Sequence, residues 1–325
     1  MKVFYIAETR LNNNSAYTHH VVKMCDAFVQ NNFETILLLP FEKKISPKKI
    51  YKDYSLVGKR FFFIKSLLKK NIINFLDRVV FGYKATNFIS KYQESKIIIS
   101  RSLISSIILS LNKIDHILEI HSELKSLTKF LMINLNFINS KYVTKVVLIS
   151  KSLSKKFKIE KKKILILHDG VDIKNFEEKT KKNNLKNVTY IGSFYKGRGI
   201  ELIIYLAKKF KTLNFNLYGN SSKYLKFNLR NLRIHKFIKY KYVPKLLSKS
   251  DILLMPYSNN VEVRAKGINT AQYCSPLKMF DYLAAGRIIV SSKLDGINEV
   301  LKHNKNAILV NNFDYKLWEK SFFKL

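Results

Sequence analysis

The sequence predicts an α/β protein made of two consecutive, doubly wound parallel-sheet domains. Three observations predict it. Short apolar runs alternate with helix-like stretches along the whole chain. A polar segment with no apolar period, "EEKTKKNNLKN" from Glu177 to Asn187, interrupts that rhythm near the middle and reads as a linker or a surface loop at a domain boundary. At 325 residues and 47% hydrophobic content, the chain is too long for one ordinary domain and apolar enough for two cores.

In the first half, strands are expected at Val3–Ala7, Thr35–Leu39, Ile97–Ser100, Ile117–Ile120, Val146–Ile149 and Ile164–His168. Between the first two, "YTHHVVKMCDAFVQNN" spaces Val21, Met24, Cys25 and Phe28 as one helix face, giving a βαβ unit and hence a parallel sheet. In the second half, strands are expected at Val188–Ile191, Phe215–Tyr218, Ile252–Met255, Ile288–Ser291 and Ala307–Val310. Helices are expected at Gly199–Phe210, Pro244–Lys249, Pro276–Ala285, Ile297–Lys302 and Tyr315–Phe323. The domains are set at 1–173 and 174–325. Two domains of this kind bind ligands at the carboxyl ends of their strands, facing a central cleft.

Lys+Arg number 59 and Asp+Glu 23, a net charge of +36. Such a field favours an anionic partner: nucleic acid, anionic lipid or a phosphorylated substrate. A compositional reading stands beside it, since Lys, Asn and Ile are over-used throughout, as in proteins of AT-rich genomes. Only two cysteines occur, Cys25 and Cys274, without metal-type spacing, so neither a disulfide framework nor a cysteine zinc site is supported. The start "MKVFYIAETR" reaches Glu8 and Arg10 too soon for a signal-peptide core, and the most apolar window, Ile97–Leu111, is broken by Arg101 and serines. A soluble, cytoplasmic or membrane-surface protein is expected. Phe41–Lys91 mixes cationic clusters with Phe61, Phe62, Phe63, Leu67 and Leu68. It reads either as a docking face for an anionic membrane or as a solvated face over a buried aromatic strand; nucleic acid is the rival partner.

Two segments carry chemistry. "CSPLKMFDYLAAG" (Cys274–Gly286) reads as a helix with Ser275 as N-cap, Pro276 in the first position and Gly286 as a left-handed C-cap. Lys278 and Asp281 share one face, leaving Leu277, Phe280, Leu283 and Ala284 to pack elsewhere. A helix start with free N–H groups and a lysine is a seat for a phosphate, and an aspartate one turn later can hold hydroxyls of whatever carries it. An ordinary capped helix is the other reading. The second segment, "VTYIGSFYKGRGIELI", ends a strand at Gly192 and passes through Lys196, Gly197, Arg198 and Gly199 into a helix. Two cations and flexible glycines at such a turn can wrap a pyrophosphate, although the pattern is neither GxGxxG nor GxxxxGK[ST].

"YIGSFYKGRGIELI", "SDILLMPYS" and above all "SPLKMFDYLAAGRIIVSSKLDGINEVL" resemble the C-terminal domain of family 4 (group 1) glycosyltransferases with the GT-B fold, of the cell-envelope polysaccharide and lipopolysaccharide type. "YIAETRLNNNSAYTHHVVKMCDAF", "EIHSEL", "VVLISKSLSKKF" and "HDGVD" resemble the same family, in order over nearly the whole chain. The resemblance implies a nucleotide-sugar donor on the C-terminal domain, an acceptor on the N-terminal domain, retention of anomeric configuration, and no metal or other cofactor. Cationic side chains and a helix N-terminus would stabilise the leaving diphosphate. Gly192 and Ser193 open the phosphate loop, and Lys196 and Arg198 would neutralise the diphosphate. Ser275 and the N–H groups at Leu277 and Lys278 would cradle it, and Asp281 would accept from the ribose. His121, just past a strand end, would contact the donor sugar or assist the acceptor; without the family context a lone histidine there reads as structural. Tyr17, His20 and Arg101 would line the acceptor side, with Arg101 otherwise a surface charge. His19 and His20, as sequence neighbours, point apart and make a poor metal pair.

The sequence also departs from the family. Tyr273 and Asp281 stand where the family has two glutamates, and Ser193 stands where an arginine is frequent. The chain ends soon after Trp318, so the family's closing helix that crosses back to the first domain is expected to be missing. These departures leave room for a shortened or weakly active protein. The expected activity is sugar transfer to a lipid-linked or polysaccharide acceptor at the inner face of the cytoplasmic membrane, with no nucleic acid partner. A non-catalytic nucleic-acid or polyanion binder, or a GT-B relative that binds nucleotide without transfer, is the alternative.

Overall fold

The computed structural model describes every residue except 13–14, 43–45, 59–60, 177–184, 220–228, 263–268 and 312–313. The described residues form two units, Met1–Ile149 with Leu153–His168, and Ser150–Ser152 with Asp169–Leu325. Most of the expected linker lies outside the described residues, as do parts of the basic stretches "EKKISPKK" and "GKRFFFIKSLLKK".

The first unit holds β1 (Lys2–Ile6), β2 (Glu34–Leu39), β3 (Phe63–Ser66), β4 (Lys96–Ser100), β5 (His116–Ile120), β6 (Val143–Leu148) and β7 (Ile164–Ile166). Its helices are α1 (Ala16–Gln30), α2 (Pro47–Tyr54), α3 (Phe75–Ser90), α4 (Leu103–Leu111) and α5 (Ser126–Lys129); α6 (Lys151–Ser154) follows β6. The sheet runs β3-β2-β1-β4-β5-β6-β7 with every pairing parallel. β1 is buried on both faces. Val3 and Tyr5 pack into a cluster with α1 residues Val21, Val22 and Cys25, while Phe4 and Ile6 join Phe81, Ala85 and Leu109 of α3 and α4. A strand covered on both sides reads as a continuous apolar run, which is what "VFYIA" is. Helix α1 starts where Ser15 accepts the Thr18 N–H, and α3 where Asn74 and Asp77 form a reciprocal capping box.

The second unit holds β8 (Asn187–Ile191), β9 (Asn214–Tyr218), β10 (Leu232–His235), β11 (Ile252–Met255), β12 (Ile288–Ser292) and β13 (Ile308–Val310). The helices are α7 (Ile200–Lys209), α8 (Val243–Ser248), α9 (Leu277–Ala285), α10 (Asp295–Asn298) and α11 (Tyr315–Phe322). Its parallel sheet runs β10-β9-β8-β11-β12-β13. One face packs Tyr190, Phe215 and Leu217 with α7 and Trp318 of α11; the other packs Leu253 and Met255 with Met279 and Tyr282 of α9.

The sequence reading missed β3 and β10. Both are edge strands, where one side faces no neighbour and basic residues interrupt the apolar run. β3 redirects the aromatic cluster: Phe62 is buried and stacks on Phe61 with ring centroids 4.4 Å apart, so these two rings form core and only Phe63 stays exposed. A second correction concerns α9. Pro276 keeps an extended ψ of 127° and is itself the N-cap, so the helix opens one residue later than expected and Ser275 lies outside it, capping nothing. The buried face of α9 is Met279, Asp281, Tyr282 and Ala285 rather than the expected Leu277, Phe280, Leu283 and Ala284. Helix α10 also begins earlier than the expected Ile297. Gly286 ends α9 in the left-handed region, with φ 56°, as a C-cap glycine should.

Both sheets reverse their winding between two central strands, β1 and β4 in the first, β8 and β11 in the second. At such a point neighbouring connections leave in opposite directions and open a crevice. In the second unit β8 and β11 pair only through Val188 and Thr189, and beyond them the Tyr282 hydroxyl accepts the Ile191 N–H at 3.1 Å. Removing that hydroxyl leaves the N–H of half-buried Ile191 without this partner. Tyr282→Phe should therefore lower the unfolding free energy by about 1–3 kcal/mol, read from denaturant melts. An unchanged midpoint would show that water or another group satisfies Ile191.

Candidate active site

In the second unit the crevice is lined by the loop after β8, the loop after β11 and the start of α9. Gly192 has φ 150° and Gly199, which caps α7, has φ 75°; a side chain at Gly192 would collide with the Lys278 ammonium, and one at Gly199 with the Pro256 carbonyl. The two loops are tied together. Ser258 N–H donates to the Gly197 carbonyl at 3.0 Å, Glu262 N–H to that of Lys196 at 3.1 Å, and the Arg198 guanidinium to the Glu262 carbonyl at 3.4 Å.

Lys278 is folded back into this frame. Its ammonium lies 3.9 Å from the centre of the Tyr190 ring and 5.5 Å from that of Tyr257, over which Arg198 also sits at 4.8 Å. The Lys278 Nζ and the Ser275 Oγ are buried and make no hydrogen bond among the described residues. Burial, reinforced by the Arg198 charge, pushes the Lys278 ammonium well below the usual lysine range. The N–H groups of Leu277 and Lys278 belong to the first turn of α9, where no preceding helical carbonyl is available to them. Asp281 is buried one turn on and accepts the Tyr240 hydroxyl at 2.8 Å, so a further hydroxyl would share its carboxylate. Lys196 is exposed on the loop. The Ser193 carbonyl accepts the Tyr190 hydroxyl at 2.8 Å and so fixes the ring that carries Lys278. Tyr273 is core, and its carbonyl accepts from Ser150.

In the first unit a second constellation gathers at the ends of β1, β4 and β5. Its centre is Glu119, a buried carboxylate missed by the sequence reading because it sits inside an apolar strand, "HILEI". Glu119 takes the Tyr5 hydroxyl at 2.5 Å and His121 Nε2 at 2.5 Å, with His20 Nε2 at 2.8 Å and Arg101 Nε at 3.6 Å. Arg101 is not a surface charge: its side chain is 5% exposed and lies 4.1 Å over the Tyr17 ring. Burial and the Arg101 charge push His121 down to about 4, so its imidazole is neutral at pH 7. His20, Glu119 and His121 bring three ligating atoms within 4.8 Å, a set a divalent cation could use. With Arg101 and Tyr5 already on the same carboxylate, that charge is balanced by the protein, and the set is poorly suited to a cation. Beside it lies a pocket of about 190 Å³ lined by Glu8, Tyr17, Arg78, Arg101, Leu103, Ile104 and Thr128. Glu8 accepts from Ser102 at 2.7 Å and pairs with Arg78 at 3.2 Å.

Thus Gly192, Ser193, Arg198, Ser275, Leu277, Lys278 and Asp281 converge in one unit, and Tyr17, His20, Arg101 and His121 in the other. Tyr190, Tyr257, Glu8, Arg78 and Glu119 were not foreseen.

Residues 185–323 match the family described as glycosyl transferases group 1. The second unit is a group 1 glycosyltransferase domain. With that domain the chain is a sugar-transferring enzyme, and its two parallel-sheet units have the GT-B fold. Among solved structures, a glycosyltransferase from Rickettsia africae ESF-5 is similar with a TM-score of 0.74 at 13% identity, covering 99% of this chain and 87% of that one. Anabaena Alr3699/HepE in complex with UDP-glucose gives 0.70 at 13% identity, over 100% and 89%. WaaG, a glycosyltransferase involved in lipopolysaccharide biosynthesis, gives 0.63 at 11% identity, over 99% and 90%. At such identities these likenesses establish the fold. No curated protein matches the sequence.

The buried lysine of the glycosyltransferase domain makes a testable demand on stability. A lysine whose folded-state pKa lies below its unfolded value of about 10.5 binds fewer protons folded than unfolded, which costs stability at neutral pH and less as pH rises towards that value. Lys278→Met should therefore raise the melting temperature measured without nucleotide. The gain over the native chain should be largest near pH 7 and shrink towards pH 10. A gain independent of pH would mean that packing, not charge, is responsible.

Proposed function

We propose that the protein transfers a sugar from a nucleotide-sugar donor to a lipid-linked or polysaccharide acceptor in cell-envelope glycan synthesis, with retention of anomeric configuration and without a metal ion. The observation that carries this reading is the Lys278 ammonium, buried without a hydrogen-bond partner beside Arg198, Ser275 and the first turn of α9. A diphosphate is the anion that matches two cations, a hydroxyl and two free N–H groups. In transfer the bond from the anomeric carbon to the diphosphate oxygen breaks with its electron pair leaving on the phosphate. The acceptor hydroxyl oxygen bonds to that carbon, and its proton passes to the released diphosphate. Lys278, Arg198 and the helix start stabilise the charge that develops on the leaving oxygen. Asp281 takes ribose hydroxyls, and His121 contacts the sugar. The named complex of Anabaena HepE with UDP-glucose favours a uridine donor.

The membrane part of the proposal rests on the first unit. Ile73, Leu76, Val80 and Tyr83 expose apolar side chains along the start and one stripe of α3, beside exposed Lys69, Lys70 and Lys84. Leu127 and Phe130 are exposed as well, and α3 and α5 both line the pocket, through Arg78 and Thr128. Apolar and cationic side chains together suit an anionic lipid surface, each well-placed cation adding about 1 kcal/mol. Among the described residues no helix is long and apolar enough to cross a membrane.

The first test is thermal unfolding at fixed moderate salt with UDP-, GDP-, ADP- and TDP-sugars and the bare diphosphates. A ligand at 100 times its Kd adds about 2.7 kcal/mol. One nucleotide should stand out, act equally in EDTA, and lose its effect in Lys278→Ala. Stabilisation by heparin and duplex DNA alone would replace this reading with polyanion binding. Co-sedimentation with phosphatidylglycerol vesicles tests the surface: Leu76→Asp with Val80→Asp should abolish binding without altering the nucleotide effect, and undiminished binding would move the docking face elsewhere.

A further inference from the structure

We propose that Glu119 is a positioning residue that holds His121 in the Nε2–H tautomer, so that Nδ1 is presented as an acceptor for a sugar hydroxyl. The role in transfer rests on the function proposed above; the tautomer does not.

An ionised carboxylate has no proton to donate, so every group hydrogen-bonded to Glu119 must be a donor. Two are hydrogen-bonded to it, the Tyr5 hydroxyl on Oε2 and His121 Nε2 on Oε1, while His20 Nε2 and Arg101 Nε lie 2.8 Å and 3.6 Å from Oε1 as ion-pair contacts. Glu119 itself is 6% exposed and is held well below the usual carboxylate range by the nearby His121, His20 and Arg101, which together outweigh its burial. The groups facing the His121 ring are therefore Glu119 from β5, His20 from α1 and Arg101 from the end of β4. Tyr5, Tyr17, Glu8 and Cys25 stand behind them. One guanidinium already offsets the one carboxylate, and burial with the Arg101 charge keeps His121 neutral. A neutral imidazole that donates from Nε2 carries its lone pair on Nδ1. His20 meets His121 edge to face, with centroids 4.5 Å apart at 77°, which fixes the ring plane that Glu119 alone would leave free to rotate. His121 Nδ1 makes no hydrogen bond among the described residues. The ligand class that fits is a neutral hydroxyl donor, whether on the donor sugar or the acceptor.

The experiment is long-range proton–nitrogen NMR of the full chain labelled with nitrogen-15 histidine, His121 being assigned by its loss in His121→Gln. Between pH 6 and 8 the native chain should show His121 with Nε2 protonated and Nδ1 bare. A protonated Nδ1, alone or in an imidazolium, overturns the proposal, and this arm needs neither turnover nor a variant. In Glu119→Ala no acceptor faces His121 Nε2, so nothing holds the proton there. His121 should then show both tautomers in exchange, and kcat/KM should fall about 10- to 100-fold. The nucleotide-induced rise in melting temperature should be unchanged. An unaltered tautomer, or an altered tautomer with unaltered kcat/KM, overturns it. Failure of every nucleotide sugar as a donor for the native chain would sink the proposed function, while the tautomer would still be read directly.

Discussion

An ammonium group withdrawn from water with no hydrogen-bonded counter-ion is the constraint around which the second unit is arranged. Burying an unpaired charge is among the most expensive things a fold can do. Lys278 sits on two aromatic faces, and a cation over a ring recovers about 0.5–2 kcal/mol, well short of the solvation it forgoes. Its nearest charged neighbour, Arg198, is also a cation and makes matters worse; Asp281, one turn along, relieves the strain only in part. A fold that tolerates this arrangement is preorganised for an anion. The surrounding geometry follows from it: Gly192 lacks a side chain because the ammonium occupies that space, and Gly199 lets the loop pass over the Pro256 carbonyl while placing Arg198.

The first unit handles a buried charge in the opposite way. Glu119 is as deeply withdrawn as Lys278, but two donors hydrogen-bond it and His20 and Arg101 lie within ion-pair range, so its charge is met inside the fold. Its charge is spent internally, on holding His20, His121 and Arg101 in fixed directions. One switch point is therefore built to accept charge from outside and the other to present neutral polar atoms. That division matches what a sugar nucleotide and an uncharged hydroxyl each require.

The architecture was legible in the sequence because the central strands of a parallel sheet are buried on both faces. "VFYIA" and "ILLM" are uninterrupted apolar runs, and the helices between them carry their own caps. The edge strands β3 and β10 were not legible, since basic residues blur their period. In the site, the backbone-determined parts were readable: glycines before α7, and the Ser-Pro start and glycine end of α9. Side-chain partners were not. Nothing local marks Glu119 as a hub, because Tyr5, Arg101 and His20 reach it from sequence separations of 114, 18 and 99 residues. Tyr190 and Tyr257 read as ordinary strand and loop aromatics until the fold brings Lys278 between them. Ser275 was misjudged because a serine before a proline looks like a cap, whereas the proline's own extended backbone takes that place.

The net charge of +36 invites a simpler account in which positive charge alone selects the partner. The structure argues for two separate uses. Exposed lysines such as Lys69, Lys70 and Lys84 act through water, where salt screens them over about 8–10 Å, and they suit a diffuse anionic surface. Lys278 and Arg198 act inside the fold, where screening is weak and direction matters. Only an anion small enough to enter the crevice, and bearing oxygens spaced for the α9 N–H groups, can reach them. Net charge can raise the local concentration of any polyanion, but it cannot discharge a buried lysine. On the function proposed above, selectivity for a diphosphate would come from two cations out of the 59, Lys278 and Arg198, and exposed lysines would act on location rather than on binding.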